Sequence, residues 1–194
     1  MAQLSNNRCL HKGITHLSSV LQSSLEYVDF KVRNPQYKHG LQTGFDDLDE
    51  IIEGFQQGKV TLIAGRPGMG TTTLAVNCIQ NIADKFCSNN RQFEDDTNNI
   101  LYFNIQVSNY QISMLLTSLL LEIPLFSLSK GDISIEYFNK MDDSYKEIRD
   151  FPIYFCNQSN LIEDIRDKIY QFQVQDKVSL VVIDCLQILS MYDY

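Results

Sequence analysis

Short runs of apolar residues recur along this chain, rich in β-branched and aromatic side chains. Each predicts a buried strand, because such side chains pack well on a pleated surface covered on both faces. The runs are VTLIA at 60–64, ILYFNI at 100–105, PIYFC at 152–156 and VSLVVID at 178–184.

Between these runs, apolar residues recur at the three- and four-residue spacing of helices. Ser108 and Gln111 form a capping-box pattern at the start of one such segment. In another, over 134–148, we expect Ile135, Phe138, Tyr145 and Ile148 to face inward. The predicted helices begin near Thr71, Ser108, residue 134 and Asn160. Strands alternating with helices predict an α/β fold with a mainly parallel sheet covered by helices on both faces.

The first forty residues have a different pattern. One apolar stripe of an amphipathic helix runs through Ile14, Leu17, Leu21, Leu25 and Val28. The dipeptide Asn34-Pro35 should end this helix, because the residue before a proline avoids the helical region. We therefore predict a linker helix and linker over 1–40 and one further domain over 41–194. The stripe packs either on its own domain or on a neighbouring chain.

Composition narrows the class of protein. At 194 residues the chain is long enough for one α/β domain, and its net charge of −8 argues against broad attraction to nucleic acid or membranes. Its five cysteines form no C-x-x-C pair, which favours a reduced, cytoplasmic protein. The sequence contains no run of 18 apolar residues, so it predicts no membrane span.

The segment GRPGMGTTTL, over 65–74, is close to the P-loop motif G-x-x-x-x-G-K-[ST], whose backbone amides hold phosphates. It lies between a predicted strand and a predicted helix, as a P-loop requires. Thr71 stands where the motif has its lysine. The predicted nucleotide-binding residues are Gly65, Arg66, Pro67, Gly68, Met69, Gly70, Thr71, Thr72 and Thr73.

An acid at the end of the fourth apolar run completes a second motif. In P-loop proteins a carboxylate there, the Walker B acid, holds Mg²⁺ together with the loop hydroxyl. Asp184 and Thr72 are therefore the predicted metal ligands. Taken alone, Asp184 fits a strand-terminal residue that caps the next turn, but with the glycine motif upstream the magnesium role is favoured.

Four segments in the same order resemble the C-terminal, RecA-like motor domain of the DnaB family of replicative helicases. The resemblance extends from about residue 14 to residue 191. The segments are LQTGFDDLDEIIEGFQQGKVTLIAGRPGMG at 41–70, YFNIQVSNYQISMLL at 102–116, PIYFCNQSNLIEDIRDKI at 152–169 and LVVIDCLQIL at 180–189.

This resemblance implies a RecA-like P-loop core that binds ATP with Mg²⁺. It also implies association with a second copy or with another helicase or replication protein, and single-stranded DNA as a ligand. The helix at 14–28 is similar to the family's linker helix, which docks on the adjacent subunit of a ring.

Three departures from the family pattern predict impaired chemistry. Thr71 replaces the lysine that reaches the phosphates, and a lost charged hydrogen bond of about 1.5–3 kcal/mol weakens binding by roughly one to two powers of ten. Gln106 stands where the family has its catalytic glutamate, through neutral drift or selected inactivation, and general-base catalysis typically contributes about 10²–10⁴. The third is that the chain ends ten residues after Asp184, so we expect the DNA-binding loops and the arginine finger to be absent and the RecA-like fold to be partial.

Three hypotheses follow from these features. The first is a pseudo-ATPase that holds nucleotide weakly and acts as a binding module. In the second, the chain is a fragment of an ATP-dependent DNA helicase. The third is a scaffold or interaction protein that binds no nucleotide.

Overall fold

A computed structural model describes residues 15–35, 40–90, 98–156 and 160–190. Contacts between residues divide the chain into two units, with the boundary between His39 and Gly40. The first unit contains one described helix, α1 (Leu17–Arg33). The second contains the sheet and the other helices.

The described part of the second unit contains a three-stranded parallel sheet. Its strands are β1 (Asn99–Asn104), β2 (Ile153–Cys156) and β3 (Val178–Asp184). β1 lies in the centre, in the order β2-β1-β3. Three of the four predicted strands and their parallel arrangement are therefore confirmed.

Helices connect these strands and precede them. The helix predicted at Ser108 begins directly after it, and the Ser108 side chain forms the predicted capping box with Gln111. Two short helices, over 46–52 and 125–130, were not predicted. The bounds are α2 (Asp46–Ile52), α3 (Thr71–Asn90), α4 (Asn109–Leu121), α5 (Leu125–Lys130), α6 (Ile135–Ile148) and α7 (Ile162–Gln175), with a 3₁₀ turn at Leu186–Ile188.

The sheet has an apolar cluster on each face, because successive side chains of a strand point to opposite sides. Ile100 and Tyr102 of β1 pack with apolar residues of α3 and α4. Leu101 and Phe103 pack on the opposite face, where α7 contributes Ile165. The prediction of a sheet covered on both faces is thus confirmed.

The predicted strand at 60–64 is wrong. These residues form no strand, and Val60 and Leu62 are 97% and 69% exposed. The composition favours a strand, but a strand also requires a neighbour that accepts and donates its backbone hydrogen bonds. No ladder within the described residues includes this segment.

Two details of the predicted helices also differ. α6 forms, but Ile135, Phe138 and Tyr145 are exposed rather than inward. Helical spacing shows that these residues share a face, but it does not show that a neighbour covers the face. α7 begins after Leu161 rather than at Asn160, and Leu161 caps it without a side-chain hydrogen bond.

The first unit carries the predicted amphipathic helix. α1 ends at Arg33, directly before Asn34-Pro35, as predicted. No residue of α1 is buried, and the stripe residues Leu17, Leu21, Leu25 and Val28 are each more than half exposed. Ile14, the first residue of the predicted stripe, lies outside the described residues. None of the described helices is long and apolar enough to cross a membrane.

Candidate nucleotide site

The glycine loop before α3 has the backbone geometry that its sequence requires. Gly68 and Gly70 have φ angles of +77° and +86°, a left-handed conformation that side chains with a Cβ disfavour. A Cβ on Gly65 would lie 2.9 Å from the Thr71 methyl carbon, so a side chain there would force Thr71 to shift. The loop therefore favours glycine at these three positions, for two different steric reasons.

Backbone amides at the start of α3 have no acceptor within the described chain. The first intrahelical bond joins the Leu74 amide to the Gly70 carbonyl at 2.8 Å, and no hydrogen bond is formed by the amides of Thr71, Thr72 and Thr73. Such unpaired amides, together with the positive end of the dipole of a 20-residue helix, favour an anion. This geometry fits a phosphate group.

The same loop borders an open cleft of about 410 Å³, within the range of small-molecule sites. Five of the nine predicted nucleotide-binding residues line it, and the other four (Pro67, Gly68, Thr72 and Thr73) lie beside it in the loop and first helical turn. The lining residues are Ile63, Ala64, Gly65, Arg66, Met69, Gly70, Thr71 and Leu74.

The two predicted metal ligands lie together although they are 112 positions apart. Thr72 Oγ1 donates to Asp184 Oδ2 at 2.7 Å. The phenol of Tyr102 donates to the same oxygen at 2.9 Å. Oxygen ligands of this kind suit Mg²⁺, which is commonly bound by one or two carboxylates plus substrate phosphates. The site thus fits a nucleotide-bound magnesium ion.

The sequence predicted Tyr102 only as part of a buried strand. Its side chain is fully buried. Burial, followed by the charge and hydrogen bond of Asp184, raises the pKa of its phenol above the usual range. The hydroxyl therefore keeps its proton at physiological pH and donates a hydrogen bond to Asp184.

The predicted catalytic position, Gln106, follows Tyr102 by four positions along the chain. Gln106 is exposed and follows β1 by two residues. The preceding residue, Ile105, donates its amide to the Asp184 carbonyl at 2.7 Å, which holds the end of β1 against the end of β3. Asn104, also at this end, is buried, and its Oδ1 has no donor among the described residues.

A second carboxylate, Asp49, lies in the segment 41–70 that resembles the DnaB family, and the sequence predicted no role for it. It is 2% exposed and accepts from the Thr43 amide, the Thr43 hydroxyl and the Gly44 amide at 2.8, 2.9 and 3.1 Å. Asn81 of α3 donates to the Thr43 carbonyl at 2.9 Å. Asp49 therefore has a structural role, since it closes the loop from Thr43 to Asp49. The Asn81 hydrogen bond attaches this loop to α3.

Comparison with known proteins identifies the family. The family model described as the DnaB-like helicase C-terminal domain matches residues 40–193. This chain belongs to that family. The DnaB-like domain is 26% identical over 179 residues to the replicative DNA helicase DnaB of Rickettsia typhi, covering 92% of this chain and 36% of that protein. It is 30% identical over 190 residues to a probable replicative DNA helicase of Guillardia theta, covering 96% and 30% respectively.

The fold of the DnaB-like domain has a solved counterpart. The ATPase domain of G40P superposes with a TM-score of 0.70 at 22% sequence identity, covering 92% of this chain and 61% of that one. The RecA-like class predicted from sequence is thereby confirmed. The chain spans only about a third of the length of the curated relatives it matches.

Proposed function

We propose that this DnaB-like domain binds a nucleoside triphosphate with magnesium weakly, hydrolyses it poorly, and associates with itself or with a helicase or other replication protein. The observation that carries the proposal is a contrast within one site. The unpaired amides at the start of α3, the glycine geometry and the Thr72–Asp184 pair are present, whereas the residues at positions 71 and 106 lack the expected charge and base.

The proposed nucleotide binding rests on groups that attract phosphate and magnesium without a lysine. Unpaired amides and a helix dipole attract phosphate by themselves, and Thr72 with Asp184 offers oxygen ligands to magnesium. The Thr71 hydroxyl is neutral, so one charge-assisted contact is missing. Its absence weakens affinity by roughly one to two powers of ten.

The proposed slow hydrolysis rests on Gln106. An amide can hold a water molecule by hydrogen bonds, but it cannot take its proton during attack on phosphorus. Since general-base catalysis contributes about 10²–10⁴ to a typical rate, turnover should be very slow.

The proposed association is supported by two exposed apolar surfaces, one in each unit. α1 presents its stripe uncovered, and the run at 60–64 exposes Val60 and Leu62. Single-stranded DNA is included as a ligand through family membership alone, and the net charge of −8 does not favour it. We place these activities in the cytoplasm.

Calorimetric titration with ATP and magnesium tests the nucleotide proposal. The purified chain is compared with the Thr71→Lys, Gln106→Glu double variant, with Ser88→Lys as a control that adds one charge at an exposed position near the other end of α3. We expect saturable binding in the original chain, affinity about 10- to 100-fold higher in the double variant, and unchanged affinity in Ser88→Lys.

Two outcomes would overturn this proposal. An absence of saturable binding in all variants favours the nucleotide-free scaffold. An ATPase rate in the original chain comparable to that of an intact family member favours part of an active helicase, the alternative supported by the greater length of its relatives. An Asp184→Asn variant serves as the hydrolysis blank, because it removes the predicted magnesium ligand.

A further inference from the structure

Register places Tyr102 on the same face of the sheet as Asp184. Asn104 of β1 is opposite Asp184 of β3, and Tyr102 is opposite Val182. Neighbouring residues in register point to the same side of a sheet, and so do residues two positions apart. Tyr102 is therefore a diagonal neighbour of Asp184, and its ring reaches the carboxylate from within the core.

The two hydroxyls that hold Asp184 differ in how deeply their residues are buried. Thr72 belongs to the first turn of α3 and is partly buried. Tyr102 is fully buried in the central strand, and its ring lies 5.8 Å from that of Phe155 in a tilted arrangement. The phenol is thus the more deeply buried of the two donors.

Both donors reach one carboxylate oxygen. Thr72 and Tyr102 donate to Oδ2, and no side-chain hydrogen bond in the described part of the chain reaches Oδ1. Two donors arriving at one oxygen from two elements fix the rotation of the carboxylate. Oδ1 is left as the oxygen available to a cation.

We propose that Tyr102 is a positioning residue of this site, whose buried hydroxyl holds Oδ2 of Asp184 so that Oδ1 is presented to a nucleotide-bound magnesium ion. The inference rests on the proposed nucleotide binding for its magnesium consequence. The hydrogen bond between Tyr102 and Asp184 is itself observed and does not depend on nucleotide binding. A phenylalanine would fill the same space without providing this donor.

Tyr102→Phe tests the assignment, with Tyr154→Phe as the matched control. Tyr154 lies on the neighbouring strand β2, is 47% exposed, and its ring contacts Phe172 on the opposite face of the sheet. Each variant loses one phenolic oxygen and keeps its ring. ATP affinity is measured by calorimetry with magnesium and with a chelator, so that the magnesium-dependent gain is obtained for each protein.

We expect Tyr102→Phe to reduce the magnesium-dependent gain in ATP affinity about tenfold, as loss of one hydrogen bond to a charged group implies. ATP affinity in chelator should not change, because the backbone amides of the loop are unaffected. Tyr154→Phe should behave like the original chain in both conditions. An unchanged magnesium-dependent gain in Tyr102→Phe would overturn the proposal.

A spectroscopic readout separates this inference from the nucleotide proposal. The side-chain carboxyl carbon of Asp184 is followed by NMR in protein labelled with carbon-13 aspartate, and is assigned by its loss in Asp184→Asn. Its resonance should move in Tyr102→Phe and stay in Tyr154→Phe, with no nucleotide present. If the original chain binds no ATP, the nucleotide proposal fails, whereas a moved resonance still supports the positioning role and an unmoved one refutes it.

Discussion

At the scale of single residues, two buried or partly buried aspartates have different uses. Both carboxylate oxygens of Asp49 accept hydrogen bonds from its own loop, from two amides and one hydroxyl. Asp184 receives two hydroxyls on Oδ2 alone. A carboxylate whose bonds are all local holds structure together. One with a free oxygen beside unpaired amides is available to a ligand.

Replacing Asp49 by asparagine should therefore destabilise the fold. The amide group turns one acceptor into a donor that faces backbone N–H groups, so at least one charged hydrogen bond is lost. We expect the free energy of unfolding to fall by about 2–3 kcal/mol, measured by urea denaturation. Glu50→Gln removes the same charge from the next, exposed residue and should leave stability nearly unchanged. Equal effects of the two substitutions would contradict the role given to Asp49.

Sequence predicted candidate site residues but not all of the partners that the structure gives them. The glycine spacing predicted the loop, and the acid after an apolar run predicted Asp184, because both signals are local. Tyr102 occupies a strand position where any large apolar residue fits. Its hydroxyl gains a partner only through the register of β1 against β3, which no local pattern of residues specifies.

At the scale of elements, α4 begins at a complete capping box. The Ser108 hydroxyl accepts from the Gln111 amide, and the Gln111 side chain accepts from the Ser108 amide at 2.9 Å. Ser108→Ala should lower the free energy of unfolding by about 1 kcal/mol. The measurement is a urea titration followed by circular dichroism.

The control for this cap is Ser113→Ala, within the same helix. The Ser113 hydroxyl only bonds the Tyr110 carbonyl of its own helix, and the residue is exposed. Alanine has the higher helix propensity, so stability there should be unchanged or slightly higher. A loss at residue 113 as large as that at Ser108 would show that the cap contributes nothing special.

Strand prediction succeeded where the fold supplies a neighbour. VSLVVID forms β3 and pairs with β1, whereas VTLIA at 60–64 has a similar composition and remains unpaired among the described residues. β propensity reflects a good fit to a pleated surface, and the surface itself comes from elsewhere in the chain. The same limit applies to α6, whose apolar face was recognisable although its exposure was not.

At the scale of the whole molecule, exposed apolar surface predicts association. We expect a concentration-dependent increase in mass by analytical ultracentrifugation. A Leu21→Lys, Leu25→Lys variant should shift the equilibrium towards monomer, because it places charges in the exposed stripe of α1. A Ser19→Lys, Ser23→Lys variant adds the same charge on the opposite side of the helix and should associate like the original chain. A monodisperse monomer at high concentration would rule out self-association.

The hydrogen bond between Thr72 and Asp184 also has a consequence in time. Its two residues are 112 positions apart, and ribosomes add about 5–20 residues per second. The loop threonine is therefore made roughly 6–22 s before the aspartate to which it donates this hydrogen bond. Throughout that interval the glycine loop exists without its acidic partner. The nascent chain can form the glycine loop during this interval, whereas the Thr72–Asp184 pair of the proposed magnesium site can form only after Asp184 has been added.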